Sequence, residues 1–386
     1  MLKIAVFTTS RAEFGILSSL LREIRKEDEI DYYLFVGGSH LVIELGKTIN
    51  EIKDEFEITD TFDFFFNEDS PYSLSKSLGI EQIELANIFR KYDFDAICVL
   101  GDRFELLPIV NTAIIFKKPI IHIHGGETTQ GAIDEQVRHM ITKAAHVHFV
   151  SCDEYKENIR KMGEPESRVF NVGALSVDNI VNNKVIIKSK LFNELKLDKS
   201  KNNILLTYHP VTLEYKLEPL TQIKNVFKAL DKFNFQVVIT APNNEIDRNI
   251  IMGYIENIVN SKRDYHFVES LGINRYLSLI PHCEFVIGNS SSGINEVPFF
   301  RIPTVNIGDR QKGRIRHKSV IDVDYSINSI VKGIKIAIEP NFRKRLKKMK
   351  YKFGDGHAAE RILKILKDIK INEQFMRKES EFSAYE

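Results

Sequence analysis

The sequence has few cysteines and no long apolar run, and both absences exclude classes of protein. Its three cysteines, Cys98, Cys152 and Cys283, are scattered along the chain and odd in number. They therefore predict neither a disulfide framework nor a closely spaced metal cluster, and a reducing compartment fits them. The longest apolar stretch, residues 106–116, is interrupted by proline, asparagine and threonine. We therefore expect no segment that spans a membrane.

The chain also lacks an excess of charge of either sign. Its 386 residues include 54 Lys and Arg and 53 Asp and Glu, which gives a net charge of +1. This balance argues against a nucleic-acid binder, whose domain would usually be strongly basic. Only residues 4–7 are apolar at the N-terminus, a run too short for a signal peptide. With 43% hydrophobic and 28% charged residues, the composition favours a globular cytoplasmic enzyme.

Short β-branched runs alternate with longer helical stretches along the chain, and this alternation predicts parallel sheets with crossover helices. The predicted strands are residues 3–7, 31–36, 95–100, 119–123, 146–150, 169–172, 204–208, 235–240, 284–287 and 302–307. A polar, lysine-rich segment from about Asn179 to Ser200 separates the two series of strands. We therefore predict an α/β fold of two doubly wound domains that face each other across a cleft.

Polar side chains concentrate directly after the predicted strands. They are Arg11, Asp102, His124, Glu127, His209, Asn243, Ser290, Ser291 and Arg310. In doubly wound sheets, ligands bind outside the carboxyl ends of the strands. Loops are polar in any case, so a single residue of this kind means little, but the whole set predicts a binding site.

The segment GNSSSGINE, residues 288–296, is typical of a phosphate site, because serines and a helix start offer hydrogen-bond donors. Glu296, one to two turns into the predicted helix, could accept both hydroxyls of a ribose. The alternative is a serine-capped surface helix. Arg11, Arg103 and Arg310 offer guanidinium groups suited to a diphosphate, although ordinary surface ion pairs use the same side chains.

Acids and histidines supply candidates for proton transfer. Asp102 follows a strand and Asp134 precedes a helix, and carboxylates that converge in a cleft can share acid and base roles. Asp134 would equally suit a helix N-cap. His209 is a candidate for phosphate contact or proton transfer. Several histidines cluster between residues 122 and 148, but we favour satisfied core histidines over a structural metal site.

Taken in order, these motifs resemble those of the UDP-N-acetylglucosamine 2-epimerases, specifically the hydrolysing branch of the sialic-acid and legionaminic-acid pathways. The matching segments are TSRAEFG (9–15), GDR (101–103), HIHGGE (122–127), IDEQVRH (133–139), HPVT (209–212), GNSS (288–291) and NIGDRQKGR (306–314). The resemblance extends over roughly residues 1–370, and the ordered set of motifs is highly specific.

The resemblance implies a glycosyltransferase type B fold. Residues 1–178 would form the domain on the sugar side, residues 179–356 the nucleotide-binding domain, and residues 357–386 a helix that crosses back to the first domain, with a tail. It implies a nucleotide sugar in the cleft, no cofactor, and a homodimer or homotetramer. It places the nucleotide near Asn243, Ser290, Ser291, Glu296 and Arg310, and the sugar near Arg11, Asp102, His124, Asp134 and His209. Some members have a glutamate in place of His124, so either His124 or Glu127 would carry that proton here.

The implied reaction eliminates the nucleotide to leave a 2-acetamidoglycal, which then takes up water at C1 and a proton at C2. We expect UDP-N-acetylglucosamine as substrate, with N-acetylmannosamine and UDP as products. The alternative substrate is UDP- or GDP-activated 2,4-diacetamido-2,4,6-trideoxyglucose. Asp102 and Asp134 would share the proton transfers, in an order that the sequence leaves open. The rival functions are a non-hydrolysing epimerase, a glycosyltransferase of the same fold and an inactive nucleotide-sugar binding module.

Overall fold

The chain divides into two compact units in the computed structural model, which describes residues 1–43, 46–64, 70–129, 133–211, 217–242 and 247–378. The first unit contains Met1–Glu127, Asp134–Val181 and Phe353–Glu386. The second contains Thr128–Ile133 and Asn182–Lys352. Each unit is built on one parallel β-sheet with helical crossovers.

The first unit has a seven-stranded sheet in the order β3-β2-β1-β4-β5-β6-β7. Its strands are β1 (Leu2–Thr8), β2 (Ile30–Gly37), β3 (Asp60–Phe62), β4 (Ala96–Leu100), β5 (Ile120–Ile123), β6 (Val147–Val150) and β7 (Val169–Asn171). Its helices are α1 (Arg11–Ile24), α2 (Ile49–Lys53), α3 (Pro71–Lys91), α4 (Leu106–Ile115), α5 (Asp134–Ala144), α6 (Asp153–Lys161), α7 (Leu175–Val181), α15 (Ala358–Asp368) and α16 (Glu373–Met376). All described strand pairs are parallel, which is the doubly wound arrangement.

The second unit repeats this arrangement with a six-stranded sheet in the order β10-β9-β8-β11-β12-β13. Its strands are β8 (Asn203–Thr207), β9 (Gln236–Thr240), β10 (Tyr265–Val268), β11 (Cys283–Gly288), β12 (Thr304–Ile307) and β13 (Val320–Val323). Its helices are α8 (Lys188–Glu194), α9 (Pro219–Leu230), α10 (Arg248–Ser261), α11 (Gly272–Leu279), α12 (Ser292–Asn295), α13 (Ile327–Ile338) and α14 (Pro340–Leu346). The predicted fold class, two doubly wound parallel α/β domains, is confirmed.

Helices cover both faces of each sheet. The side chains of β1 illustrate this, because they pack alternately against the helices on the two faces. Successive residues of a strand point to opposite faces. Ile4 and Val6 accordingly pack into one apolar cluster with α1, whereas Ala5 and Phe7 pack into another with α3 and α4. A strand that is buried on both faces reads as a continuous apolar run. This is the pattern by which the central strands were predicted.

Three strands, β3, β10 and β13, were not predicted from the sequence. Each of them lies at an edge of its sheet. An edge strand has a neighbour on one side only, and the residues of β13 are all partly or fully exposed. Such a segment needs no continuous apolar run, so its sequence resembles that of a loop.

The last long helix of the chain, α15, belongs to the first unit. Its residues Ala358, Ile362 and Leu366 are buried in the same apolar cluster as β1 and α1. The first two amides of α15, those of Ala358 and Ala359, donate to the carboxylate of Asp178 at 2.9 and 2.7 Å. An aspartate distant in sequence therefore caps this helix and ties it to α7.

None of the helices in the described ranges combines the length and the apolar character that a membrane crossing requires.

Candidate active site

The candidate residues of the first unit lie where the order of its sheet changes direction. β1 and β4 are neighbours, but the chain leaves β1 toward β2 and leaves β4 toward β5. A crevice forms at the carboxyl ends of two such strands. Arg11 opens α1 directly after β1, and Asp102 and Arg103 follow β4. The three side chains therefore come from the two loops that border this switch point.

A buried arginine that the sequence analysis did not select holds Asp102 in place. Arg138 on α5 is 1% exposed, and its guanidinium donates to the carboxylate of Asp102 and to that of Glu135. It also donates to the backbone carbonyl of Glu127 at 2.7 Å. The side chain of Asp102 remains 22% exposed. Asp102 is thus a fixed carboxylate that a ligand can still reach.

His124 and Glu127 lie beside this pair on the turn after β5. The Nδ1 atom of His124 is 3.6 Å from Oε1 of Glu127, and both side chains are buried. His124 has a positive φ of 64°, and its backbone amide donates to the carbonyl of Phe149. Left-handed conformations of non-glycine residues are uncommon and concentrate at functional sites. Because Arg138 also contacts the carbonyl of Glu127, the turn and the Asp102 carboxylate share one anchor.

Asp134 is the first residue of α5 and is partly buried. It precedes Arg138 by four positions, so the two side chains lie on the same face of the helix. Asp134 therefore projects from the side of α5 that carries the anchor of Asp102. The structure brings the two candidate acids to one end of the first sheet.

The histidines of the neighbouring strands are buried and structural. His122 shares a hydrogen bond of 2.8 Å with the carbonyl of Gly101, which precedes Asp102. Burial lowers the pKa of His122 to about 3, so the ring is neutral near pH 7. His148 is fully buried too, beside Glu164. Within the described part of the chain, no group of three or more His, Cys, Asp or Glu is arranged to hold a metal ion.

The second unit has an equivalent switch point between β8 and β11. His209 follows β8 and Asn289 follows β11, and the two residues exchange hydrogen bonds. The amide of His209 donates to Oδ1 of Asn289 at 2.7 Å, and Nδ2 of Asn289 donates to the carbonyl of His209 at 2.8 Å. Asn289, which is fully buried, therefore joins the two loops and fixes the backbone of His209.

Arg310 and Gln311, on the loop after β12, converge on the same asparagine. Nε2 of Gln311 donates to the carbonyl of Asn289 at 2.9 Å, and Nη1 of Arg310 approaches that oxygen at 3.4 Å. Arg310 is 9% exposed. Three loops of the second unit are thus tied together at the carboxyl end of its sheet, with His209 and Arg310 among the tied residues.

The serine segment differs from the helix that the sequence predicts. α12 is only four residues long, from Ser292 to Asn295, and Glu296 lies at its C-cap rather than one to two turns inside it. So short a helix aligns few peptide dipoles, which removes the macrodipole argument for a phosphate site there. Two serine hydroxyls of this segment accept hydrogen bonds, that of Ser290 from the amide of Ser292 at 3.4 Å and that of Ser292 from Tyr276 at 2.5 Å, so the proton of each hydroxyl can still be donated to a ligand.

The structure therefore groups the predicted residues within each unit. The group of the first unit consists of Arg11, Asp102, Arg103, His124, Glu127 and Asp134, and that of the second consists of His209, Ser290, Ser291, Glu296 and Arg310. Asn243 lies outside the described residues. The sequence analysis missed Arg138 and Asn289, although both stand inside the quoted motifs. An arginine between Val137 and Ile141 on the buried face of a helix indicates a carboxylate partner, since buried charges are paired.

Two doubly wound parallel α/β domains in one chain are the architecture of the glycosyltransferase type B fold. The crystal structure of UDP-GlcNAc 2-epimerase from Neisseria meningitidis bound to UDP-GlcNAc has the same fold, with a TM-score of 0.81. The likeness covers 96% of this chain and all of that one at 17% sequence identity.

Comparisons of sequence identify the family. The family model described as UDP-N-acetylglucosamine 2-epimerase matches residues 22–367. The chain is 38% identical, over 83% of its length and 84% of the relative, to the GDP/UDP-N,N'-diacetylbacillosamine 2-epimerase (hydrolyzing) of Campylobacter jejuni. It is 32% identical, over 97% and 98%, to the UDP-N,N'-diacetylbacillosamine 2-epimerase (hydrolyzing) of Legionella pneumophila. The chain belongs to the UDP-N-acetylglucosamine 2-epimerase family, which confirms the resemblance of its motifs.

Proposed function

We propose that the protein is a hydrolysing 2-epimerase of nucleotide-activated N,N'-diacetylbacillosamine, which is 2,4-diacetamido-2,4,6-trideoxyglucose. The observation that carries this proposal is the identity of 38% and 32% with two hydrolysing enzymes named for that sugar. Of the two substrates that the sequence left open, this is the alternative rather than the first expectation. The product, a free 2,4-diacetamido sugar with the mannose configuration, would enter nonulosonic acid biosynthesis of the legionaminic type.

UDP-N-acetylglucosamine is the second candidate substrate. Its support is the description of the family model that matches most of the chain, together with the substrate named for the similar Neisseria structure. The two sugars differ at C4 and C6, where one has an acetamido group and a methyl group and the other has hydroxyl groups. A site built to bond one set of substituents discriminates against the other when its polar groups are left unpaired.

The first unit performs the chemistry at the sugar in this proposal. A base removes the proton from C2 while the bond between C1 and the diphosphate oxygen breaks, and the electron pair leaves with the nucleotide. Water then bonds to C1 of the resulting glycal, and a proton adds to C2 from the opposite face. Asp102 and Asp134 exchange these protons. His124 and Glu127 are the further candidates for proton transfer at the opposite face of the sugar. Arg138 supports this role of Asp102, because it holds the carboxylate in one orientation.

The second unit binds the nucleotide in this proposal. Arg310 and the serine hydroxyls stabilise the charge that develops on the departing diphosphate. His209 contacts the diphosphate or its bridging oxygen, and Glu296 accepts hydrogen bonds from the ribose. The bonds that join His209, Asn289 and Arg310 support this assignment, since preorganised donors stabilise developing charge without rearranging during the reaction.

The deciding experiment compares substrates. The purified protein is incubated in D₂O with UDP- and GDP-N,N'-diacetylbacillosamine and with UDP-N-acetylglucosamine, and the products are followed by NMR. We expect free nucleoside diphosphate and a reducing sugar with deuterium at C2, formed fastest from a diacetamido substrate. Faster turnover of UDP-N-acetylglucosamine would overturn the substrate assignment but leave the reaction class intact.

The same incubation separates the rival reactions. An intact nucleotide sugar with inverted C2 would identify a non-hydrolysing epimerase. Product formation only after addition of an acceptor sugar would identify a glycosyltransferase, and binding without any turnover an inactive module. In H₂¹⁸O, breakage of the C1–O bond predicts that the released nucleotide contains no ¹⁸O, whereas attack at phosphorus would place the label there.

The proposal includes a homodimer or homotetramer as the assembled state. Light scattering after size-exclusion chromatography measures this directly, and a mass near 44.5 kDa, that of a single chain, would contradict it.

A further inference from the structure

Three buried glutamates, two of them on helices and one directly before a helix, converge at the carboxyl ends of β1 and β4. Glu13 lies in the first turn of α1, Glu81 on α3, and Glu105 directly before α4. Their exposed fractions are 4%, 0% and 3%. Glu81 interacts repulsively with both of the others, and Glu105 repels Glu13 as well. None of the three was selected from the sequence, and the mechanism above does not use them.

Glu13 holds the loop between β1 and α1. Its Oε2 atom accepts the backbone amide of Thr9 at 2.9 Å, the hydroxyl of Thr9 at 3.3 Å and the hydroxyl of Thr8 at 3.4 Å. The amide and the hydroxyl of Thr9 are therefore two donors on one oxygen, and such hydrogen bonds are strongest when the carboxylate is ionised. The loop that they fix leads directly to Arg11. The carboxylate of Glu13 therefore sets the position from which Arg11 projects.

Glu81 is held differently. Neither of its oxygens has a hydrogen-bond partner among the described residues, and its side chain has no contact with solvent. An ionised carboxylate is very unfavourable in such a place, whereas a neutral carboxyl group is tolerated. Burial, together with repulsion by Glu105 and Glu13, raises the pKa of Glu81 well above its ordinary value.

Arg103 supplies positive charge to two of these glutamates, Glu105 and Glu13. Arg103 donates to both oxygens of Glu105 at 3.1 and 2.8 Å, and it is the cation that most favours ionisation of Glu13. The other titratable groups around Glu13 are Arg11 on its own helix, Cys98 on β4, and His40 after β2, which contacts the hydroxyl of Thr8. Burial lowers the pKa of His40 to about 4 and raises that of Cys98 to about 12, so both are neutral near pH 7.

We propose that Glu13 is a positioning residue whose carboxylate orders the loop that presents Arg11, and that Glu81 stores a proton beside it in the active enzyme. The first half rests on the proposed function, in which Arg11 binds the substrate. The protonation of Glu81 is a property of the folded protein with or without substrate, so this part of the proposal does not depend on the proposed function.

The pH dependence follows from the titration of Glu13, whose carboxylate orders the loop. Burial raises the pKa of Glu13 to about 7, against hydrogen bonds from Thr9 that lower it. Glu13 therefore takes up a proton as the pH falls through about 7, and the hydrogen bonds that order the loop lose the strength that the negative charge gives them. In this proposal Glu81, which is buried and has no hydrogen-bond partner among the described residues, keeps its proton through this transition. We expect kcat/KM to fall on the acid side with a midpoint near pH 7, mainly through a higher KM.

Two isosteric variants separate charge from packing. At pH 8, Glu13→Gln should raise KM about tenfold, the equivalent of one strong hydrogen bond, and change kcat little. In this variant kcat/KM should also no longer fall as the pH decreases through 7. Glu81→Gln replaces a neutral carboxyl by a neutral amide, so it should retain both the wild-type KM and the acid limb. Wild-type KM and pH dependence in Glu13→Gln would overturn the positioning role, and a shifted acid limb in Glu81→Gln would overturn the proton store.

Two further measurements need no substrate and distinguish a failure of this inference from a failure of the proposed function. At pH 8 the infrared absorption of protonated carboxyl groups should be present in the wild type and absent in Glu81→Gln. Hydrogen exchange in a peptide spanning residues 8–11 should be faster in Glu13→Gln than in the wild type and in Glu81→Gln. If the wild type hydrolyses no nucleotide sugar, these results still decide the roles of Glu13 and Glu81. An unchanged infrared spectrum or unchanged exchange would refute them.

Discussion

Asp102 and Arg138 are 36 positions apart in sequence and form one ion pair in the first unit. The arginine is almost fully buried and also holds the carbonyl of Glu127. In the proposed function its effect on catalysis is indirect, because it orients the groups that are assigned to act on the substrate. The chemistry assigned to this end of the sheet therefore depends on a residue that need not touch the sugar.

Asp102→Asn should preserve nucleotide affinity and abolish turnover. The amide keeps the shape of the side chain but cannot exchange a proton, and loss of a general acid or base costs roughly 10²- to 10⁴-fold in rate. Calorimetry with UDP measures the affinity, and NMR of the sugar products measures kcat. Asp93→Asn is the matched control, because the Asp93 side chain is 98% exposed and should tolerate the change. A wild-type rate in Asp102→Asn would refute the assignment.

Gly288 is required by its backbone and its surroundings. It has a φ of +135°, and a Cβ there would lie 1.8 Å from the carbonyl oxygen of Thr207. Gly288→Ala should therefore destabilise the second unit by about 2 kcal/mol or more, and weaken UDP binding through Asn289.

The control for this change is Gly253→Ala in helix α10. Nothing lies within 4 Å of a Cβ at that position, and alanine favours the helix by about 0.5–1 kcal/mol. Urea unfolding and UDP titration measure both variants. Equal stability of the two alanine variants would contradict the steric argument.

At the scale of elements, the C-terminal segment is fastened to the first unit by charge as well as by apolar packing. Lys378, beyond α16, donates to the carboxylate of Glu164, which also accepts from Lys143 at 2.5 Å and contacts His148 at 3.3 Å. Burial alone would raise the pKa of Glu164, but these hydrogen bonds outweigh it and lower the pKa to about 2. The stabilisation by ionised Glu164 is therefore complete above pH 4.5 and is lost as the pH falls toward 2.

Glu164→Gln should accordingly lower the free energy of unfolding at pH 7 by about 1–3 kcal/mol, because it removes the buried charge that pairs with Lys143 and Lys378, whose side chains are 38% and 22% exposed. Below pH 4.5 the wild type should lose stability more steeply than the variant, so the difference between them shrinks. Urea unfolding over this pH range measures it. Glu166→Gln, whose side chain is 58% exposed, should follow the wild type. If the free energy of unfolding fell equally with pH in the wild type and in Glu164→Gln, the ion pairs of Glu164 would contribute nothing to stability.

At the scale of the whole molecule, the two units have different tasks in the proposed function. We expect UDP alone to protect the amides of residues 288–292 and 308–311 from hydrogen exchange, since its diphosphate binds the second unit. Residues 101–105 should become protected only when a nucleotide sugar is present. A noncleaved substrate analogue, or the Asp102→Asn variant with substrate, allows the comparison. Protection of residues 101–105 by UDP alone would contradict this division of tasks.

The central strands and the polar residues that follow them were predictable from the sequence alone. A strand such as β4 is buried on both faces, so all five of its residues are apolar, and Asp102 stands out directly after it. The edge strands β3, β10 and β13 have no such pattern. The motifs also sufficed to predict the family, although they favoured UDP-N-acetylglucosamine over the diacetamido sugar that the relatives support.

The sequence by itself determined the alternation of strands and helices, because burial on both faces of a sheet requires short continuous apolar runs, which polar loops separate. It also determined which chemical groups stand at the strand ends. Only the tertiary structure decided how those groups are held. Arg138 meets Asp102, Asn289 meets His209 across 80 positions, and Asp178 caps α15 across 180. Such bonds join segments that only folding brings together. A local sequence pattern does not specify which distant residue will be the partner.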